Sequence, residues 1–570
     1  VLPTWWSSAS WRHVASPDFQ GSAVRSEFIR IYKSVHTWTG IVAGMVLFIA
    51  FYAGAITIFK EPLARWAAPP SAIHGHTHPL GDASALIVAT LQKYPEAAKD
   101  FRLHLEVAEH LPKGISWEVR APGADDHDHS AVRHYVAVLE TGGDVQVEEV
   151  HPSGLAEFID TLHRVVGLPY DTDPNRWVMG FVAVLYALAL VSGVIVLLPS
   201  LVKDFFALRV GKNLKRMWLD AHNVVGIVSL PFHVVMALTA VVFAYHDGFY
   251  LIQDKFIHDG RWGSAFQGRA NAAAPATQRD PAAMRSPADL LDSVRALSPS
   301  FEPTSLQYLN VTGPRAAVRV WGHDPTAHSP RFVGGFVAVD PYSGEIMNAD
   351  FLPGHQSLSN AIIGSFFALH FGAYGGAPVQ WIYFLLGLAG AWLFYGGNLL
   401  WLETRRIKAA RTGNADGTPP EQRRDVRWMA AATVGVCLGA VCGISLTIVA
   451  ARWLHGRVED INAWHQGIYY AVFFSALVWA FRRGAAQSSV HLLRLAAVFT
   501  FAIPATSFLA WIFPSLGMWA SGSAAAMGVD GTALAGGFCF IWLARATNRR
   551  VKGGPVDSIW SIRGDSAGGR

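Results

Sequence analysis

RIYKSVHTWTGIVAGMVLFIAFYAGAITIF, residues 30–59, decides the class of this chain. Basic residues lead into a run of apolar side chains about as long as the roughly 20 residues that a bilayer core requires. His36 stands at the entry, and Gly40 follows one helical turn later. The stretch WLDAHNVVGIVSLPFHVVMALTAVVFAY, residues 218–245, repeats the arrangement with His222 and Gly226. Further apolar blocks fall at 177–198, 379–401, 428–451, 463–481, 492–513 and 524–544. With 51% hydrophobic and only 15% charged residues, composition excludes an ordinary soluble protein of 570 residues.

The expected architecture is an α-helical polytopic membrane protein of about eight transmembrane helices, with two small α+β external domains. The spans are placed at 34–60, 175–200, 220–246 and 376–403, followed by a further four-helix membrane region at 428–545. The external domains occupy 61–174 and 247–375. Residues 1–33, 201–219, 404–427 and 546–570 form the cytoplasmic segments. Orientation follows from basic residues near span ends. Arg30 and Lys33, Lys212, Lys215 and Arg216, Arg405 and Arg406, Arg482 and Arg483, and Arg549 and Arg550 all fall on one side. That side is expected to be cytoplasmic, with both termini there and the external domains in the periplasm of a bacterial inner membrane. The first helix then serves as the targeting signal, since 1–20 lacks an apolar core. A net charge of +4 reflects these anchors and gives no reason to expect a nucleic-acid partner. Trp177, Trp381 and Trp401 suit the membrane interface.

Residues up to about 405 form an internal repeat. Each unit runs span, external domain, histidine, span. Unit one carries His36 and then His163 in LHRVVGLP; unit two carries His222 and then His370 in LHFGAYGGAP. Both external segments place a helical stretch (82–94 and 287–297) before alternating segments, the second turning at DPYSGEI, residues 340–346.

Ionisable groups within a bilayer are costly and usually functional. A neutral imidazole that coordinates haem iron escapes that cost, because its lone pair is taken by the metal. If the two units pack about a pseudo-twofold axis, His36 pairs with His222 near the cytoplasmic surface and His163 with His370 near the external one. Bis-histidine ligation leaves no open iron position and suits electron transfer. Two haem b groups are therefore expected. Gly40 and Gly226 either let a porphyrin face approach the backbone or serve small-residue helix packing. Taken singly, each histidine is also compatible with a plain interfacial role. His233 lies eleven residues after His222, which on one straight helix puts it on nearly the same face about 16 Å deeper. It is an alternative ligand or a lining residue between the sites, and its counterpart in unit one is Leu47. His465 is a further candidate ligand.

Three cysteines, Cys437, Cys442 and Cys539, all lie in expected helices. No CxxCH for covalent haem and no iron–sulfur cluster motif is present. No GxGxxG follows a strand, and the cytoplasmic connections are too short for a flavin or NAD(P) domain. Electrons must then come from membrane quinol or a separate cytoplasmic donor. The loops around His74, His76 and His78 and around Asp125 to His129 carry metal-friendly residues but equally suit a solvated loop.

The His-x-x-x-Gly helix openings, the two LH motifs, ALTAVVF late in the third span and VDPYSGEI together make residues 25–405 resemble the PepSY-associated transmembrane proteins. That resemblance implies two b-type haems between four helices and reduction of a ferric siderophore, or another periplasmic ferric complex, to Fe(II). Helices within 428–545 depart from the four-helix pattern, and nothing in their residues says what they add. Other readings stay open: a non-enzymatic membrane protein that binds or regulates a periplasmic peptidase, a quinol-linked cytochrome b with another acceptor, and a transporter using the last four helices.

Overall fold

The structure, a computed structural model, describes residues 21–70, 79–106, 114–120, 132–140, 143–150, 153–202, 214–246, 248, 255, 279–327, 334–412, 422–520, 522–554 and 558–561. The metal-friendly loops around His76 and His127 lie outside these residues.

Helix α1 (Gly21–Thr57) carries His36 and begins well before the expected span. A short amphipathic helix, α2 (Lys60–Ala67), follows it. Then come α3 (Ala83–Lys93), the strands β1 (Asp100–His104), β2 (Ile115–Arg120), β3 (Val132–Leu139) and β4 (Val145–Val150), and helices α4 (Leu155–Arg164) and α5 (Asp173–Leu197). The second unit repeats this order. It consists of α6 (Leu214–Val228), α7 (Leu230–Ala244), α8 (Pro287–Leu297), β5 (Glu302–Leu309), β6 (Ala317–His323), β7 (Gly335–Val339), β8 (Ile346–Asn348), α9 (Leu358–Phe371) and α10 (Gly376–Thr412). Three long helices close the chain: α11 (Arg424–Leu454), α12 (Ile461–Ile512) and α13 (Ala524–Gly553).

Among the described residues, six helices are long and apolar enough to cross a membrane, or seven if one bent pair counts as a span. The bent pair corrects the expected straight third span. Helices α6 and α7 meet at 69°. Ser229 between them has φ −89° and ψ 3°, outside helical geometry, and Pro231 has no N–H to continue the ladder. His222 and His233 therefore sit on different helix axes, and the expectation of one face with His233 about 16 Å deeper does not hold. Helix α12 is also broken, at Gly484, whose φ of 75° and ψ of 161° no helix contains.

The two segments expected to be external differ from expectation too. They form one eight-stranded antiparallel sheet in the order β4-β3-β2-β1-β5-β6-β7-β8, not two separate domains. Strands β1 and β5 pair at the centre, with Arg102 opposite Gln307. Each four-strand half would otherwise expose an edge of unpaired N–H and C=O groups, and the pairing removes both edges. Phe101 stacks on Tyr308 across this seam at 4.6 Å, an arrangement worth about 0.5–1.5 kcal/mol beyond its buried area. A single core runs beneath both halves, from Leu86 and Ile87 on α3 to Leu290, Leu291 and Val294 on α8. The DPYSGEI turn closes on Asp340, whose carboxylate accepts from the N–H groups of Tyr342 and Ser343, with Gly344 at φ 77°. Chain connections place the sheet at the end of the bundle where α1 finishes and α5 begins.

Candidate metal centres

The repeat brings its histidines together in the expected pairs. His36 on α1 meets His222 on α6 with ring centroids 6.2 Å apart. His163 at the end of α4 meets His370 at the end of α9 with centroids 6.1 Å apart. Two imidazole nitrogens each about 2 Å from one shared metal place their ring centroids roughly 6 Å apart. Both pairs have that separation. Among the described residues no group of three or more His, Cys, Asp or Glu side chains could hold a metal ion, so each candidate centre is a two-ligand one.

Hydrogen bonds decide which nitrogen can ligate. His36 Nδ1 lies 2.8 Å from the Ala189 carbonyl oxygen of α5, and His163 Nδ1 lies 2.8 Å from the Ala50 carbonyl oxygen of α1. A carbonyl only accepts, so Nδ1 carries the proton in both rings and Nε2 keeps the lone pair. His370 reaches the same state through Thr239, whose hydroxyl donates to the Val235 carbonyl oxygen and accepts from His370 Nδ1 at 2.7 Å. Phe243, one turn on, packs edge-on against His370 at 5.0 Å. These two contacts give the ALTAVVF motif its physical content. His222 Nδ1 is buried with no hydrogen-bond partner among the described residues. Outer partners of this kind fix ring orientation and raise ligand basicity.

Depth along α1 separates the two pairs. His163 bonds to the carbonyl fourteen residues beyond His36, a rise of about 21 Å, which fits two centres on opposite sides of a hydrocarbon core about 30 Å thick.

Among the described residues, a Cβ built at Gly40 or Gly226 meets no atom within 4 Å, a setting that suits the approach of a flat group. Other glycines lie against the paired histidines: a Cβ would stand 2.6 Å from His163 Nδ1 at Gly54 and 2.9 Å from His36 Nδ1 at Gly193. Neither is adjacent in sequence to the histidine it accommodates, so no local motif marks it.

His233 joins neither pair. It is 3% exposed, its Nδ1 lies 2.5 Å from the Tyr186 hydroxyl, and Nε2 is buried without a partner among the described residues. Phe51 on α1 and Tyr186 on α5 pack on it at 5.6 and 5.9 Å. Its ring contacts are with Phe51, Tyr186 and Phe232 and with no other histidine among the described residues, which suits a lining position. His465 is fully buried on α12, with neither ring nitrogen bonded among the described residues, and no second histidine pairs with it among the described ring contacts. Cys437 and Cys442 are buried thiols on α11, and Cys539 is exposed on α13.

The paired rings, the engaged Nδ1 atoms of three of the four and the room beside Gly40 and Gly226 fit a flat metal-centred group such as haem. His36 with His222, and His163 with His370, would hold it. No curated protein matches the chain. The model of one protein family matches residues 33–404, ending where the repeat ends and leaving α11–α13 outside. On that match over well more than half its length, the protein belongs to the family described as the PepSY-associated TM region.

Proposed function

We propose that this protein is an inner-membrane oxidoreductase that carries electrons across the bilayer to a periplasmic ferric complex, a ferric siderophore by the family resemblance. The observation that carries the reading is the pair of two-histidine centres, about 21 Å apart along α1, each with a ring separation at which both imidazoles could share one metal ion. In this reading the chain crosses eight times, with α6 and α7 together making one crossing and α12 making two around Gly484. Basic residues hold both termini in the cytoplasm, which puts the eight-stranded sheet in the periplasm.

A b-type haem supplies a one-electron carrier at each histidine pair. The protein holds His36, His163 and His370 as single tautomers through Ala189, Ala50 and Thr239, so little reorganisation is needed when the charge of a centre changes. Between the pairs, Phe51, Tyr186, Phe232, His233 and Phe394 form a closely packed aromatic interior that excludes water from the path. Electrons enter beside His36 and His222 from membrane quinol or a separate cytoplasmic donor and leave beside His163 and His370. Reduction to Fe(II) weakens the hold of hard oxygen donors on the metal and releases it.

A reduced-minus-oxidised absorbance spectrum of the purified full-length protein, with haem counted per chain, tests this. Two b-type haems that are reoxidised by a ferric hydroxamate or catecholate are expected. A colourless protein made with ample haem supply would sink the reading and favour a peptidase-binding role.

A further inference from the structure

The repeat makes α4 and α9 equivalent: each precedes a span and ends in one histidine of the sheet-side pair. Their surroundings are not equivalent. On α4, Leu155, Ile159 and Leu162 are fully buried. On α9, Leu358 is 79% exposed, and Ile362 and Ile363 are about half exposed. Part of the difference comes from α11–α13, which lie outside the family region and pack on α4 together with α1 and α2.

They hold α4 at three points. At its start, Asn462 Oδ1 accepts from the Gly154 N–H at 3.1 Å. At its middle, the Tyr469 ring stands edge-on to Phe158 at 5.6 Å. Beyond its end, the Tyr470 hydroxyl donates to the Gly167 carbonyl oxygen at 3.0 Å. That last contact sits on a strained turn. Val166 has φ 50° and Gly167 φ 87°, and the Gly167 N–H returns to the Leu162 carbonyl oxygen to close the helix. A β-branched residue in left-handed geometry persists only where its surroundings hold it, and His163 lies three residues before it.

A second route runs through α2. Lys60 donates to Glu157 at 2.5 Å and to Asp160 at 2.9 Å, both on α4. At the other end of α2, Trp66 is fully buried. Its indole N–H donates to Asp530 of α13 at 2.9 Å, its carbonyl oxygen accepts from Arg452 Nε of α11 at 2.8 Å, and the Arg452 guanidinium lies 4.0 Å from its ring. An arginine 1% exposed inside an apolar bundle is expensive unless fully engaged, and its contacts go to α2 and to neighbouring helices.

We infer that α11–α13 are a one-sided positioning device: they help seat α4 and so set the position of His163, whose ring is then oriented by Ala50, whereas α9 and His370 are held from within the repeat, His370 by Thr239. This rests on His163 being a metal ligand, and it gives the added helices a role in tuning the sheet-side centre.

The test uses the full-length protein with Asn462→Ala, Tyr470→Phe, Asn462→Asp as the rescue that keeps an accepting oxygen, and Ser489→Ala as a control that removes a bond to the Ala486 carbonyl oxygen wholly within α12. Amide hydrogen exchange over 155–167 and 358–371 is read alongside the electron paramagnetic resonance of the oxidised centres, which reports the angle between ligand ring planes. Asn462→Ala and Tyr470→Phe should each speed exchange over 155–167 about fivefold, the loss of one modest hydrogen bond, leave 358–371 unchanged and shift one of two resonance signals. Asn462→Asp should restore both readouts, and Ser489→Ala should move neither. Equal acceleration in the two segments, no acceleration in either, or faster exchange with both signals unmoved would overturn the inference. If the protein holds no haem, the proposed function fails, and the exchange comparison still decides whether the added helices seat α4.

Discussion

His163 Nδ1 lies 2.8 Å from the Ala50 carbonyl oxygen, a contact 113 residues apart in sequence that leaves Nε2 as the only basic nitrogen of the ring. Gly54, one turn further along α1, makes room for it, since a Cβ there would stand 2.6 Å from Nδ1. Gly54→Ala should therefore displace the ring and lose one haem of two. A pyridine haemochrome count per chain checks this, and retention of both haems would show that the ring adapts.

Gly40→Ala and Gly226→Ala probe the opposite situation. No atom of the described residues meets the added methyl group, so thermal stability of the haem-free chain should stay unchanged while haem retention at the His36–His222 pair falls. Unchanged retention would mean that nothing flat lies against these glycines.

Thr239→Val keeps the shape of the side chain and removes the oxygen that accepts from His370 Nδ1. Loss of such an outer partner weakens a metal site by about 10–100-fold. Faster haem loss to an excess of a haem-scavenging protein, confined to one of two kinetic phases, is the expected result.

His233→Ala separates lining from ligation. Since His233 contacts Tyr186 and Phe51 and belongs to neither pair, both haems should remain, with a change in midpoint potentials. A drop to one haem per chain would make it a ligand.

The sheet should lose stability in acid partly through Asp340. Burial alone would raise its pKa, but the Ser343 and Tyr342 N–H groups and Arg279 outweigh it and hold the carboxyl below its ordinary value. A depressed folded pKa contributes stability that is present above the unfolded value, about 3.9, and lost as pH falls through the folded one. Asp340→Asn should flatten the acid limb of thermal unfolding, and identical limbs would remove Asp340 from the account.

Most of the membrane architecture was legible in the chain because the relevant signals are local. An apolar run of bilayer length, basic flanks and a histidine with glycine four residues on can each be seen within one segment, and the duplication of that pattern predicted which histidines would meet. The bend between α6 and α7 was less legible, although Pro231 lay in plain view, because a proline in an apolar helix either kinks or breaks it according to what packs around it. His233 left its expected face for that reason.

Sequence by itself determined the class of the protein, the repeat and the four paired histidines. Tertiary structure decided the rest: that the two external halves share one sheet through Phe101 and Tyr308, that Gly54, Gly193 and Thr239 serve the histidines, and that Asn462, Tyr470 and Arg452 reach α4 and α2. Each of these contacts joins segments far apart in the chain. Periodicity and local motif cannot encode a partner hundreds of residues away, and only the packed arrangement of helices brings it within hydrogen-bonding distance.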